Sequence, residues 1–132
     1  MLKKINIRTK KRIELVDITD DIQRVIRESG IKSGICTVFV THTTAGITIN
    51  ENADPSVVTD LIDGLTRLVP ENAAYRHREG NSDAHIKSSL IGCSITVIIE
   101  NGSLVLGTWQ GIYFCEFDGP RNRNVLIKIL GS

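Results

Sequence analysis

A chain of 132 residues with 41% hydrophobic residues is long enough to bury one core and reads as one domain. Its 16 basic and 15 acidic residues leave a net charge of +1, which gives no electrostatic ground for a nucleic-acid or membrane-surface partner. No apolar run reaches the roughly 18 residues of a spanning helix, and Met1-Leu2-Lys3-Lys4 lacks the apolar block of a signal peptide, so a cytoplasmic location is expected.

Residues 2–8 alternate around Ile5 and Ile7, and residues 12–18 around Ile13 and Leu15; with Thr9-Lys10-Lys11 between them they read as a hairpin. Thr19 offers a capping hydroxyl to a helix over 20–29, whose stripe is Ile22, Val25 and Ile26 and whose left-handed stop is Gly30. A strand over 35–43 puts Cys36, Val38, Val40 and His42 on one face. A second short strand covers 46–50. Asp54-Pro55 then opens a helix that runs to about Val69, before Pro70. Residues 70–85 are polar and aperiodic, the mark of a functional or mobile loop. A short helix capped by Asp83 and ended at Gly92 follows. Ser94 to Ile99 and Ser103 to Leu106 flank Asn101-Gly102, a strong hairpin signal. The succession Val97-Ile98-Ile99 reads as a strand covered on both faces. Thr108 to Phe117 is a further strand, turned by Asp118-Gly119-Pro120 into a returning strand over 124–130. The expectation is a single domain over 1–132. Its class is α+β, mainly antiparallel sandwich or barrel-like sheets with two or three flanking helices. Cys36, Cys93 and Cys115 are widely spaced, form no CxxC and sit among apolar residues. They read as reduced, buried thiols.

The chemistry-bearing residues cluster around the polar stretch. His42 ends an apolar strand face, and His77 and His85 lie in or beside the loop. They are candidates for a three-histidine metal site or for acid/base work beside an anion; the plainer reading is a half-buried His42 and an exposed His77. Capping accounts for Asp54 and Asp83, whereas Glu51 and Glu116 have no such local role and are stronger candidates. Arg121 and Arg123 alternate after a turn, and their guanidinium forks suit phosphate oxygens. Trp109, between Gly107 and Gly111, could stack on a planar ligand or sit in a core or interface. No GxxxxGK[ST], GxGxxG or GxSxG is present.

Three blocks together carry a resemblance: THTTAGITINENADPSVVTDL at 41–61, YRHREGNSDAHIKSSLIG at 75–92 and NGSLVLGTWQGIYFCEFDGPRNR at 101–123. The sequence resembles the YjbQ-like family, known as secondary thiamine-phosphate synthases. The resemblance implies a mainly β fold assembled as a homotrimer, with a site containing His42, His77 and His85 near Asn50 and Glu51. Trp109, Glu116 and Arg121 match its third block. The implied reaction joins a hydroxymethylpyrimidine diphosphate to a thiazole phosphate and releases pyrophosphate. A divalent metal such as zinc or magnesium on the three histidines, Arg121 and Arg123, or the amides after Asp83 would receive the charge of a small phosphorylated metabolite. The competing expectation is a non-catalytic trimer that holds a small anion or metabolite in the same place.

Overall fold

The computed structural model describes residues 2–132. The elements, in chain order, are β1 (Leu2–Arg8), β2 (Glu14–Asp17), α1 (Thr19–Ser29), β3 (Gly34–Val40), β4 (Ala45–Glu51), α2 (Pro55–Leu68), α3 (Ser82–Ile91), β5 (Ser94–Glu100), β6 (Ser103–Leu104), β7 (Gln110–Glu116) and β8 (Asn122–Gly131). The strands form two antiparallel sheets, one ordered β1-β8-β3-β5-β6 and the other β2-β7-β4. The fold is therefore α+β, as expected.

Local chemistry explains most boundaries. Gly30 adopts φ 73 and ends α1 in the left-handed region, where a side chain would be strained. Asp54 accepts the Ser56 amide at 2.9 Å and Pro55 occupies the first turn of α2. Asn101 and Gly102 both take positive φ, 53 and 75, the conformation of a two-residue turn that sets Glu100 opposite Ser103. Thr19 does not cap α1: the helix has no side-chain cap bond. Its hydroxyl donates to Asp17 and accepts the Ile112 amide instead, tying α1 to β7.

Two expected hairpins are corrected. β1 pairs with β8, and β2 pairs with β7. The segment between β1 and β2 crosses from one sheet to the other, so the apolar residues of its two flanks enter different layers. The turn after β7 crosses likewise, and β8 inserts between β1 and β3 rather than returning along β7.

Packing follows from these crossings. Between the sheets lie Cys36, Val38, Val40, Ile47, Ile112, Phe114, Ile127 and Ile129, with Ile18, Ile22 and Ile26 closing the core beside α1. On the other side of the smaller sheet, Tyr113, Cys115, Phe117 and Ala84 form a second cluster with Val58 and Leu65 of α2. The strand covered on both faces is thus β7. In β5, Val97 and Ile99 are buried but Ile98 is 57% exposed, which corrects the expectation for that strand. Cys36 and Cys115 are buried and free. Burial pushes the thiol of Cys36 up to about 11 and that of Cys115 up to about 12, so both stay protonated at neutral pH. Cys93 is exposed, contrary to expectation. No helix among the described residues is long and apolar enough to cross a membrane.

Candidate functional site

Three connections switch sheets at the same end of the sandwich. They join β1 to β2, β3 to β4 and β7 to β8, and they carry Thr9 to Arg12, Thr41 to Thr44 and Phe117 to Arg121. Backbone groups freed by leaving one sheet find partners in the neighbouring crossover. Thr9 donates its amide to the Arg121 carbonyl at 2.9 Å, Gly119 to Arg12 at 2.9 Å, and Phe117 to Thr44 at 3.2 Å.

Two buried ionic networks stiffen this end. Glu116 is fully buried and paired with Arg123. It accepts Arg123 Nε at 2.8 Å, the Thr9 hydroxyl at 2.7 Å and the Asp118 amide at 3.0 Å. Arg123 also donates Nη2 to Thr44 Oγ1 at 2.9 Å. Burial pushes the Glu116 carboxyl up, but Arg123, the Asp118 amide and the Thr9 hydroxyl outweigh it and hold it below the ordinary value. In α3, Asp83 does not cap the helix, which starts at Asn81 without a side-chain cap bond. Its side chain is fully buried and takes both ends of the Arg12 fork, at 3.2 and 2.9 Å, together with Lys87 Nζ at 2.7 Å. Burial raises the Asp83 pKa, and the Arg12 and Lys87 hydrogen bonds and charges lower it further than burial raises it. Arg12 lies in the first crossover, so this network clamps α3 onto that end.

Above these frames lies a polar cavity of about 470 Å³ lined by His42, His77 and His85 among others, with Arg121 and Arg123 on its wall. His77 and His85 meet edge to face, ring centroids 5.3 Å apart, and His77 Nε2 is 3.8 Å from Glu79. A hydrogen bond from the Ser88 hydroxyl to the Thr43 carbonyl, at 2.6 Å, holds α3 against the crossover that carries His42. The three imidazoles, remote in sequence, thus share one cavity.

His42 Nε2 accepts the Asn124 amide at 2.9 Å. A protonated Nε2 could not accept it, so the ring is neutral with its hydrogen on Nδ1. Burial, followed by the charge of Arg123, lowers the pKa of this ring below the ordinary histidine value. The same bond occupies the lone pair a metal would need. Among the described residues, no group of three or more His, Cys, Asp or Glu side chains is placed to hold a metal ion. His42, His77 and His85 are thus not arranged as the ligand group of a zinc or magnesium centre in this structure.

The other expected site residues divide. Arg121 and Arg123 reach the cavity, and Glu116 stands behind Arg123 as its counterion. Asn50, Glu51 and Trp109 lie at the opposite end: Glu51 pairs with Gln110 and Ala45 with Glu116, so the length of β4 separates them from the histidines, about 20 Å at 3.3 Å per residue. Trp109 is 62% exposed there. The Glu51 carbonyl accepts the Tyr113 hydroxyl, and Asn50 accepts the Glu51 amide. Asn81 and Asp118 line the cavity. Asn81 gave no sequence signal, being one polar residue in a polar loop. The Asp83–Lys87 pair did give one, since residues four apart share a helix face.

A family model described as UPF0047 protein YjbQ-like matches residues 3–132. UPF0047 protein MJ1081 of Methanocaldococcus jannaschii is 62% identical over 132 residues, covering 100% of this chain and 96% of that one. UPF0047 protein YugU of Bacillus subtilis is 54% identical, covering 99% and 100%. A solved YbjQ-like protein of unknown function from Sulfolobus solfataricus has a TM-score of 0.96 at 35% identity, covering 100% of this chain and 97% of that one. The names of these relatives carry no activity. The thiamine-phosphate synthase activity implied by the resemblance is corrected accordingly: neither the relatives nor the donor geometry supports it. Sequence and architecture agree along the whole chain, which belongs to the YjbQ-like UPF0047 family.

Proposed function

We propose that this protein binds a small metabolite by a phosphate-type oxyanion in the crossover cavity. The observation that carries this reading is the convergence of His42, His77, His85, Arg121 and Arg123 on one polar cavity of about 470 Å³, a size suited to a small ligand. Arg121 donates Nε to the Asp118 carbonyl at 2.7 Å and Nη2 to its carboxylate at 2.9 Å. That fixes the fork, while Nη1 has no partner among the described residues. Neutral His42 adds a ring N–H. Arg76 lines the adjoining cavity together with His77 and His85 and has no ion-pair partner among the described residues, so its charge is uncompensated. Charge-assisted hydrogen bonds contribute about 1.5–3 kcal/mol each. Arg121→Ala is therefore expected to weaken binding of inorganic phosphate about 10- to 100-fold by isothermal titration calorimetry. Absence of saturable binding to the wild type, or unchanged affinity in the variant, would overturn the reading.

We also infer assembly as the homotrimer implied by the resemblance. The outer face of the larger sheet carries Ile98, Ile35 and Leu130 side by side in register, 57%, 40% and 54% exposed. Such a contiguous apolar row favours cover by a second copy. Light scattering should give the mass of three chains for the wild type and of one for Ile98→Lys. A monomeric wild type would rule the assembly out.

A further inference from the structure

The polar cavity has a neighbour whose charge the fold leaves open. A second cavity of about 470 Å³ lies between the loop carrying Tyr75 and Arg76 and the face of α3 carrying Ser82, His85 and Ile86. It shares His77 and His85 with the first. In the first, each arginine has a carboxylate of its own: Arg121 pairs with Asp118, and Arg123 with Glu116. The second is lined by Arg76 and by no acidic side chain. Arg76 has no hydrogen bond or ion pair among the described residues, and neither does the Ser82 hydroxyl. Tyr75 donates its hydroxyl to the Pro70 carbonyl at 2.5 Å. What it offers the cavity is therefore its ring, on a wall with Ile86, which is 40% exposed.

We propose that Arg76 forms a subsite for a carboxylate, so that the ligand is a phosphorylated carboxylic acid lying across both cavities. This rests on the oxyanion reading above and names the ligand's other end. A guanidinium fork matches the two oxygens of a planar carboxylate in a bidentate pair, and Ser82 supplies a hydroxyl donor to the same cavity. One cation balances the single charge of a carboxylate, whereas a second phosphate would bring up to two. Tyr75 and Ile86 present apolar surface to the carbon skeleton between the two anions. The shared wall of His77 and His85 keeps the two subsites adjacent, which calls for a short skeleton.

Glycerol 3-phosphate and 3-phosphoglycerate are the probes, each titrated calorimetrically into the intact protein at pH 7. They differ only in a hydroxymethyl group against a carboxylate. The wild type should bind 3-phosphoglycerate about 5- to 50-fold more tightly. In Arg76→Gln that preference should fall towards one while affinity for glycerol 3-phosphate changes little. Arg78→Gln removes the same charge from a residue that does not line the cavity and should keep the wild-type preference. Equal binding of the two esters by the wild type overturns the carboxylate subsite and leaves the oxyanion pocket standing. So does a preference that survives Arg76→Gln, one that Arg78→Gln removes equally, or binding of inorganic phosphate but of neither ester. Binding of neither ester nor of inorganic phosphate overturns the pocket and this proposal together.

Discussion

Asp83→Ala should destabilise the protein by about 3–5 kcal/mol, read as a loss of unfolding free energy in urea. The substitution does not simply remove a contact. It leaves Lys87, whose side chain is fully buried with Asp83 as its ion-pair partner at 2.7 Å, as an uncompensated buried charge. Arg12 suffers less, because it is partly exposed and also reaches Glu71 at 3.3 Å. The distinction predicts a non-additive pair. Asp83→Leu combined with Lys87→Met fills the same space with apolar atoms and should recover most of the loss, since a buried ion pair and a packed apolar pair are often close in free energy. A single-variant loss under about 1 kcal/mol would show that water reaches Lys87.

Arg123→Ala should cost a similar amount, about 3–5 kcal/mol, because it strands Glu116. Thr9 and the Asp118 amide would still donate to that carboxylate, but no cation would remain on it. The pH dependence follows from the sign of the shifts. Glu116 and Asp83 both have pKa values below the ordinary carboxylate value in the folded chain. A depressed carboxylate contributes stability that is complete above the unfolded value, near pH 4, and is lost as the pH falls through the folded value. Wild-type unfolding free energy should therefore decline below about pH 4. In Arg123→Ala the Glu116 share of that decline should vanish or reverse, because the buried carboxyl then resists ionisation and binds a proton more readily in the folded chain than in the unfolded one. An acid decline in Arg123→Ala as large as that of the wild type would contradict the assigned pair.

How far the sequence could be read depended on the range of the interaction concerned. Gly30, Asp54-Pro55 and Asn101-Gly102 act within a few residues, and each marked a boundary that the structure has. The alternation of Cys36, Val38 and Val40 likewise identified the inner face of β3. Strand pairing was not legible. Residues 9–13 and 118–121 have turn composition, but whether a turn reverses within a sheet or crosses to another depends on the distant strands it must reach. Asp83 shows the same limit: an acid at a helix start reads as a cap, and only the fold brings Arg12 beneath it. His42, His77 and His85 were singled out as types of residue, and the crossovers supply the geometry that places them together. Asn50, Glu51 and Trp109 lie in sequence blocks that carry the resemblance, yet strand length takes them to the far end of this chain.

The most direct test is ¹⁵N NMR of the three imidazoles during titration with inorganic phosphate at pH 7. The expected result is His42 in the Nδ1–H form before addition, then saturable shifts at His42, His77 and His85 with a common midpoint. Rings that stay silent, or shifts that rise linearly without saturation, would contradict an oxyanion site at the crossovers.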